Sequence, residues 1–416
     1  MRLGDIANAE AAPFGKPLDG VRVLAAEQMQ SLPFATQLLA RLGADVVKVE
    51  SPKGGESGRG AVPFMEAPTG EKVGATFLRN NLGKRSVTLD LKSERGRDLF
   101  LDLAGRFDVV AENFKAGTMD RMGLGYEAVS ARWPAVVYVS VSGFGNTTES
   151  PYRDWPAYAA IAEAMSGIYD YKAEPGRPPV VNPVGGLGDI GSALFAAVGI
   201  LAALRHRDAT GRGQYLDVAM YDAMVSMTDL VTNFWSMGLR PQPGRHLPLI
   251  MDGFRADDGW FIVQVGREHQ FELLARTVGC PEWLDDPRFA TRQGWADHLD
   301  DVIRPAVEAW AHGRSKGDVC RELAAVGLAA GPCNAAPDVI ADPHVRDRHM
   351  LVECERSDGV ADPVLVPGNP IKLSSVAEGP ETRVPWLGEH TDTVLATELG
   401  LDEAALAELR AAGVIA

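Results

Sequence analysis

Cysteine is scarce in this sequence. Only four cysteines occur among 416 residues, all in the last third of the chain, and none belongs to a C-x-x-C pair. Structural zinc and a redox-active dithiol are therefore poor explanations of the chain, and no metal site is expected. Cysteines without a disulfide framework fit a reducing compartment, so we expect a cytoplasmic location. The four are Cys280, Cys320, Cys333 and Cys354.

Histidine is missing from the first 205 residues of the chain. All eight histidines lie at position 206 or later, and no G-x-S-x-G elbow occurs. A Ser–His–Asp hydrolase would therefore need its histidine from outside the stretch in which most strands are predicted. The sequence disfavours this class of hydrolase.

Positive charge and long apolar runs are also in short supply. The formal net charge is −15, whereas proteins that bind nucleic acids present a basic face, so no nucleic-acid partner is expected. No uninterrupted apolar run approaches the about 20 residues that span a bilayer, so no membrane partner is expected. Residues 1–16 lack the apolar core of a signal peptide and are predicted to be a loose leader.

The N-terminal half contains buried-strand patterns that alternate with helical ones. Strands at Val21–Ala25 and Asp45–Glu50 flank a helix at Pro33–Leu42, and such a βαβ unit implies a parallel sheet. The alternation continues as far as a strand at Tyr215–Met220. We predict a large, doubly wound, Rossmann-like α/β domain over residues 17–224. Its other elements are predicted at Val87–Leu91, Glu94–Gly105, Asp108–Glu112, Ala128–Arg132 and Val136–Val141.

The pattern changes in the second half of the chain. Met224–Met237 is apolar and Met-rich and is predicted to be one helix, and Leu239–Gly244 carries the two prolines of a linker. A mixture of one strand and several helices then predicts a smaller α+β domain over residues 225–335. The elements predicted from here to the C-terminus are Gly259–Val265, Glu268–Val278, His298–His312, Arg314–Val326, Thr391–Leu399 and Glu403–Ala412.

A single acidic residue, Asp189, stands among glycines just before an apolar helical run predicted at Ser192–Leu204. The plain interpretation is a helix N-cap. The glycines also match the G-x-G-x-x-G pattern of dinucleotide-binding loops, but Asp189 would then face the phosphates and Pro183 would interrupt the preceding strand. The surrounding glycines are Gly185, Gly186, Gly188 and Gly191.

Several polar and aromatic residues follow predicted strands, where open α/β sheets bind ligands. An isolated exposed Lys or Arg is most simply solvated surface. As a set, however, these residues supply cations, amides and an aromatic ring, which suits an adenine ring and phosphates. They are Gln30, Lys84, Asn113, Phe114, Arg121 and Met122. Asp189 remains the best-placed reactive group, since a lone carboxylate can act as a covalent nucleophile.

Eight blocks of sequence follow one another along the chain. They are Pro17–Leu24, Leu42–Glu50 leading to Arg59, Gly83–Leu91, Glu112–Phe114, Asp120–Gly123, Leu187–Asp189, Gly211–Gln214 and Leu387–Asp392. In this order they resemble the class III coenzyme A transferases, the CaiB/BaiF family, which includes formyl-CoA transferases, carnitine CoA-transferases and α-methylacyl-CoA racemases. The resemblance runs from Pro17 to the C-terminus, and so many blocks in one order are far more specific than any single motif.

The resemblance implies a reaction and a set of site residues. Asp189 stands at the position of the catalytic aspartate, which attacks an acyl-CoA thioester to form a mixed anhydride and later an aspartyl-CoA thioester. Glycine N–H groups around it, including that of Gly188, could stabilise the oxyanion. Coenzyme A is a substrate and no other cofactor is implied. The CoA and substrate contacts carried over are Gln30, Lys84, Asn113, Phe114, Arg121, Met122, Tyr158 and Gly188.

Two departures from the family pattern concern the substrate. Racemase members have a histidine at the position of Tyr158, whereas formyl-CoA transferases have a tyrosine there, as this chain does. The tyrosine favours transfer over racemisation. Pro156 replaces a lysine of the formyl-CoA transferases, and their glycine-rich loop is not evident between Leu239 and Gly266. We therefore expect a larger, more apolar carboxylic acid than formate or oxalate, or CoA migration within one dicarboxylate.

The family fold further implies an interlocked homodimer, in which the 336–416 segment returns to the large domain. The expected partners are an acyl-CoA and a carboxylic acid. Three alternatives stay open at this point: an acyl-CoA racemase or epimerase of the same family, an NAD-dependent dehydrogenase, and a catalytically silent CoA-binding protein.

Overall fold

The computed structural model describes residues 1–170, 176–181, 186–240 and 247–416. The chain divides into two units. Unit 1 comprises Met1–Tyr171, Pro179–Leu239 and Asp347–Ala416, and unit 2 comprises Lys172–Pro178 and Arg240–Arg346.

Thirteen strands are found in the described residues. In chain order they are β1 (Arg22–Ala26), β2 (Asp45–Glu50), β3 (Phe64–Glu66), β4 (Lys72–Gly74), β5 (Arg85–Thr88), β6 (Val109–Glu112), β7 (Val137–Ser142), β8 (Tyr215–Ala219), β9 (Ile250–Ala256), β10 (Gly259–Val265), β11 (Ala329–Pro332), β12 (Leu351–Cys354) and β13 (Val364–Pro367).

Sixteen α-helices accompany these strands in the same described residues. They are α1 (Ser31–Arg41), α2 (Ala75–Asn80), α3 (Glu94–Ala104), α4 (Thr118–Arg121), α5 (Tyr126–Arg132), α6 (Ala159–Met165), α7 (Leu187–Thr210), α8 (Met220–Ser226), α9 (Glu268–Thr277), α10 (Arg292–Asp297), α11 (Arg304–Ala311), α12 (Lys316–Ala325), α13 (Ala336–Ala341), α14 (Pro343–Asp347), α15 (Thr391–Leu399) and α16 (Glu403–Ala411).

A six-stranded parallel sheet forms the centre of unit 1. Its strand order is β5-β2-β1-β6-β7-β8, and each neighbouring pair is parallel. The winding direction reverses between β1 and β6, which creates a topological switch point where open α/β sheets bind ligands. The predicted α/β class with a parallel central sheet is confirmed.

Apolar side chains cover both faces of this sheet. On β1, Leu24 and Ala26 belong to a buried cluster that also holds residues of α3, α15 and α16. Val23 and Ala25 belong to a second cluster, with residues of α1 and α7. Successive side chains of a strand point to opposite faces, so the sheet is packed on two sides, as parallel sheets require.

Helix α7 is longer than predicted and one of its sides is apolar and exposed. It begins at Leu187 rather than Ser192. By length and composition it could cross a membrane, and half of its most apolar 18-residue window is buried inside the protein. Leu194, Phe195 and Val198 are nevertheless 48%, 42% and 66% exposed.

The predicted helix at Met224–Met237 is wrong. Helix α8 ends at Ser226, and a short π-helical segment, Leu230–Phe234, follows it. Apolar periodicity continues across this break, which is why the pattern suggested one helix. The proline-containing linker that was predicted next lies largely outside the described residues.

Residues 1–16 are tied to the C-terminal part of unit 1. Short bridges join Arg2 to Glu353 and Ala7 to Glu378, and the side chain of Asn8 donates a 3.0 Å hydrogen bond to the carbonyl of Val376. The first eight residues of the leader are therefore held by pairing and the next six form a 3-10 helix, although the composition suggested a loose segment.

Unit 2 is built on a small antiparallel sheet and an aromatic core. The strand order is β11-β10-β9. Phe271 of α9 stacks on Trp295 of α10 with ring centroids 4.6 Å apart. Gly259–Val265 was predicted as a strand with these bounds, whereas its hairpin partner β9 was not predicted.

Candidate active site

A cavity of about 550 Å³ lies in unit 1. Its walls come from the segments that follow β1, β6, β7 and β8, at the carboxyl edge of the sheet, and from α6 and the start of α7. This is the edge at which doubly wound sheets bind ligands. Five of the predicted site residues line it: Gln30, Asn113, Phe114, Tyr158 and Asp189.

Asp189 is the third residue of α7 and points into the cavity. The N-cap position belongs to Gly186, without a side-chain cap, so the N-cap interpretation of Asp189 is wrong. A Cβ atom at Gly186 would lie 2.5 Å from Ala159 Cβ and 3.2 Å from Asp189 Oδ2. Glycine is therefore needed here to leave room for the carboxylate.

The carboxyl group of Asp189 has no cationic partner in the described part of the chain. Burial, chiefly, and the nearby carboxylate of Glu163 raise its pKa to about 6, while a hydrogen bond from Gln30 opposes the shift. A raised pKa makes the ionised carboxylate a stronger nucleophile. Asp189 thus remains ionised at neutral pH but is more basic than an ordinary aspartate.

Gln30 links Asp189 to a second polar group. It precedes α1, and its Nε2 lies 3.5 Å from Asp189 Oδ2. Its Oε1 accepts a 3.3 Å hydrogen bond from Arg79 Nη1. Because Arg79 can only donate, this contact turns the amide nitrogen of Gln30 towards Asp189.

The backbone of Gly188 serves packing and the positioning of a neighbour. Its N–H donates a 3.1 Å hydrogen bond to Oε1 of Glu163, and a Cβ atom here would lie 3.0 Å from Ala159 Cα and O. Gly188 does not line the cavity, and its N–H is already used. A dinucleotide loop, which needs such N–H groups free for phosphate, does not fit this geometry.

Asn113 and Phe114 shape the wall that follows β6. The amide of Asn113 accepts a 2.8 Å bond from the N–H of Gln28 and donates 2.9 Å and 3.1 Å bonds to the Gln28 carbonyl and Ser31 Oγ. Both polar atoms of Asn113 therefore fix the loop between β1 and α1. The ring of Phe114 is left to contact a ligand.

Lys84 lies outside the cavity lining and is fully buried. Its Nζ donates to Glu27 Oε1 at 2.7 Å, to Asn81 Oδ1 at 3.0 Å and to the Pro33 carbonyl at 3.0 Å. An ammonium group has three donors, and all three are used. This geometry gives Lys84 no group with which to reach CoA directly, in contrast to the contact that the resemblance implies.

The last two predicted CoA contacts, Arg121 and Met122, also lie outside the cavity lining. Arg121 is exposed and donates a 2.9 Å hydrogen bond to Thr118 Oγ1. Met122 is half-buried and packs against the core of unit 1. Tyr158, by contrast, is at the cavity and 75% exposed.

Four charged residues near Asp189 were not predicted. Lys115 and Arg153 line the cavity, are exposed, and form no ion pair within the described residues. Glu163 lines it as well and is 1% exposed. Arg79 is half-buried behind Gln30, and its Nε has no hydrogen-bond partner. Lys115 directly follows the predicted Asn113 and Phe114 and could have been found from that position, whereas nothing in the sequence distinguishes the other three.

The described residues contain no group of three or more His, Cys, Asp or Glu side chains that could hold a metal ion. The reactive features of the cavity are instead two carboxylates, Asp189 and Glu163, an amide that faces Asp189 and two cations on the wall. This arrangement suits nucleophilic attack on an acyl group carried by an anionic ligand.

Comparison with known proteins identifies the family. The family described as CoA-transferase family III matches residues 18–391. The chain belongs to this family. It is therefore an enzyme of the class III CoA-transferases, and the dehydrogenase alternative is rejected.

Two curated relatives and one solved structure illustrate the similarity. The succinyl-CoA:mesaconate CoA-transferase of Haloarcula marismortui is 36% identical, over 92% of this chain and 97% of its own. The formyl-CoA:oxalate CoA-transferase of Streptomyces avermitilis is 34% identical, over 96% of this chain and 100% of its own. A CaiB/BaiF family protein from Brucella suis has a TM-score of 0.78 and 34% identity, over 92% of this chain and 100% of its own.

Proposed function

We propose that this enzyme moves coenzyme A between an acyl-CoA thioester and a carboxylic acid with Asp189 as the nucleophile. An oxygen of Asp189 attacks the thioester carbonyl, the C–S bond breaks, and CoA thiolate leaves with the bonding electrons, so that a mixed anhydride remains. The thiolate attacks the aspartyl carbonyl, which releases the donor acid and leaves an aspartyl-CoA thioester. The acceptor carboxylate repeats these two steps in reverse and departs as the new acyl-CoA.

The environment of Asp189 is the observation that carries this proposal. Within the described residues no cation pairs with this carboxylate, which faces the cavity, and its pKa is raised to about 6, chiefly by burial. It is therefore ionised at neutral pH and more nucleophilic than an exposed aspartate. The amide nitrogen of Gln30, 3.5 Å from Oδ2, is placed to donate to the oxygen that gains charge during attack.

The cations of the cavity wall suit an anionic substrate. We assign Lys115 and Arg153, both exposed at the cavity, to the phosphates of CoA or the second carboxylate of the acid. Mesaconate and oxalate, named for two relatives, are both dicarboxylic acids. A dicarboxylate acceptor with a short acyl-CoA donor such as succinyl-CoA is therefore the first pair to test, and transfer within one dicarboxylate is the intramolecular variant.

The racemase alternative lacks the histidine that serves as the second acid–base group in racemase members of the family. Racemisation removes and returns a proton on opposite faces of one carbon, and Tyr158 occupies the position of the racemase histidine. Incubation of an acyl-CoA in D₂O separates the two reactions, since racemisation exchanges the α-proton and CoA transfer does not. Exchange without an acceptor acid would favour the alternative.

A homodimer in the cytoplasm is the assembly that we propose, with no cofactor besides the CoA substrate. The exposed apolar side of α7, which includes Leu194, Phe195, Val198 and Leu201, is the surface that supports it. Covering such side chains with a second copy removes apolar area from water. Val198→Asp should lower the dimer fraction measured by light scattering, and an unchanged mass distribution would argue against this surface.

The experiment for the reaction is a screen of CoA thioesters against carboxylic acids by mass spectrometry. Succinyl-CoA with a dicarboxylate should give the new thioester and free succinate in equal amounts. Asp189→Asn should give neither, while Asp222→Asn, a carboxylate outside the cavity lining, should behave as the wild type. Hydrolysis to free CoA without a new thioester would contradict CoA transfer.

A further inference from the structure

A second carboxylate, Glu163, is buried beside Asp189. Glu163 belongs to α6, lines the same cavity and is 1% exposed. Its Oε1 accepts a 3.1 Å hydrogen bond from the N–H of Gly188, the residue before Asp189. Its Oε2 accepts a short hydrogen bond from the Tyr169 hydroxyl. Within the described residues no Lys, Arg or His forms an ion pair with it.

The position of Glu163 sets the local electrostatic field on Asp189. Both carboxyl groups line the same cavity and are largely buried, so like charges repel more strongly there than in water. From the β1–α1 side, the amide of Gln30 contacts Asp189 and the guanidinium of Arg79 stands behind it. Lys115, Arg153 and Tyr158 are the other titratable groups on the cavity wall.

We propose that Glu163 is a positioning residue for the nucleophile: its fixed, buried charge destabilises the free carboxylate of Asp189 and thereby favours acylation. This inference rests on the proposed function. It adds to the reaction a group that does not touch the acyl carbon and acts through Asp189.

The charge balance of the first step explains the effect. Before attack, Asp189 carries a negative charge that the nearby carboxylate of Glu163 disfavours. When an oxygen of Asp189 bonds to the acyl carbon, the C–S bond breaks and the electron pair leaves on the sulfur of CoA. Asp189 is then neutral, so its repulsion from Glu163 is lost. The same relief accompanies formation of the aspartyl-CoA thioester.

A purely structural role for Glu163 makes a different prediction. Glu163 also caps the start of α7 through Gly188, and loss of that bond would destabilise the helix. Glu163→Gln keeps an oxygen for Gly188 and the size of the side chain but removes the charge. Glu163→Asp keeps the charge and shortens the side chain. The two variants therefore separate charge from shape.

The readout is the pH profile of kcat/KM for CoA transfer. Asp189 has to lose its proton to attack, so the acidic limb follows its pKa, which is about 6 in the wild type. Glu163→Gln should move this limb down by about 1 pH unit and lower kcat/KM at pH 7.5 by about fivefold, because the nucleophile is less basic. Glu163→Asp should keep a limb close to that of the wild type.

Two results would overturn the inference. One is that the acidic limb of the Glu163→Gln profile coincides with that of the wild type while Asp189→Asn is inactive. This would leave the proposed function intact and remove only the role of Glu163. The other result needs only the wild-type enzyme: the acidic limb of its pH profile would lie near the ordinary aspartate pKa of about 4. Retained transfer in Asp189→Asn would instead contradict the proposed function itself.

Discussion

Two carboxyl groups, one buried and one half-buried, lie at the same edge of the central sheet, yet their surroundings are opposite. Glu27, which directly follows β1, is paired with Lys84 at 2.7 Å and lies 3.8 Å from Lys48. Burial raises the pKa of Glu27, but the charges of Lys84 and Lys48 outweigh burial, so its pKa lies below the ordinary value. Asp189 has an amide and another carboxylate for neighbours, and its pKa is raised.

Of these two carboxylates, Glu27 has a structural role, and Asp189 is the one that we propose as the nucleophile. Lys84, whose three donors are all hydrogen-bonded, neutralises Glu27 and holds β1, α1 and β5 together. Asp189 has no counter-ion among the described residues, so neutralisation of its charge is favourable. Burial alone therefore does not make a nucleophile, and the identity of the neighbouring charge decides the outcome.

The largest expected effect is on the reactive member of the pair. Asp189→Asn should lower kcat for CoA transfer by about 10⁴-fold or more, because the neutral amide of asparagine cannot attack the thioester to form the anhydride. Binding of CoA, measured by calorimetry, should change little, since CoA recognition lies elsewhere. A variant that lost CoA binding and kept turnover would reverse the assignment.

Lys84→Met tests the structural role of Glu27 and its ion pair. Removing one partner leaves Glu27 buried and unpaired, which should lower the free energy of unfolding by about 3–5 kcal/mol. Denaturant unfolding measures this change, with Lys53→Met on the exposed surface as the control. If stability were unaffected and only KM for CoA esters rose, Lys84 would be a direct CoA contact, as the family resemblance implied.

Gln30→Ala tests the amide that lies beside Asp189. Loss of the amide should raise the pKa of Asp189 further and remove a donor to the developing oxyanion, so kcat should fall by about 10²-fold. Steady-state kinetics at pH 8, where Asp189 is ionised in both proteins, measures the donor effect alone. Gln293→Ala, an amide in unit 2, serves as control, and equal activities of Gln30→Ala and wild type would exclude the role.

Ionisation of Asp189 should also lower the free energy of unfolding as the pH rises. Its folded pKa lies above its unfolded value, so the native state binds more protons between about pH 4 and 6 and stability falls with pH across that window. Asp189→Asn should therefore be more stable than the wild type by about 1–2 kcal/mol at pH 7.5 but not at pH 4. Thermal unfolding at the two values checks this, and an equal gain at both would point to another cause.

The smallest expected effect concerns Arg121, an exposed cation outside the cavity lining. Arg121→Ala should raise KM for CoA esters by about threefold and leave kcat unchanged, because the contact that the family resemblance implies would contribute only uniform binding to the carrier. Initial rates over a range of CoA thioester concentrations provide the measurement. A lower kcat with unaltered KM would place Arg121 in the reaction itself.

The sequence predicted the architecture better than the charges of the site. Asp45–Glu50 and Thr391–Leu399 have the predicted bounds because apolar periodicity and flanking turn residues mark their ends. The start of α7 was placed five residues late, since glycines hide the first helical turn. The cavity position of Asp189 followed from the glycines and from the family resemblance.

The partners of the charged groups could not be predicted. Lys84 pairs with Glu27, which is 57 residues away, and Glu163 meets Gly188 across 25 residues. A basic residue after a turn looks the same whether it faces a ligand or a buried carboxylate. The fold decides which of the two the residue faces, because this depends on which strands are neighbours in the sheet. The sequence does not show that order.

The most direct test is to trap the enzyme during turnover and find the residue that carries the acyl or CoA group. With succinyl-CoA and hydroxylamine, or with borohydride, peptide mass spectrometry should show a hydroxamate or a reduced side chain at Asp189, and Asp189→Asn should show none. A modification at another residue, or none under conditions of active turnover, would contradict the account.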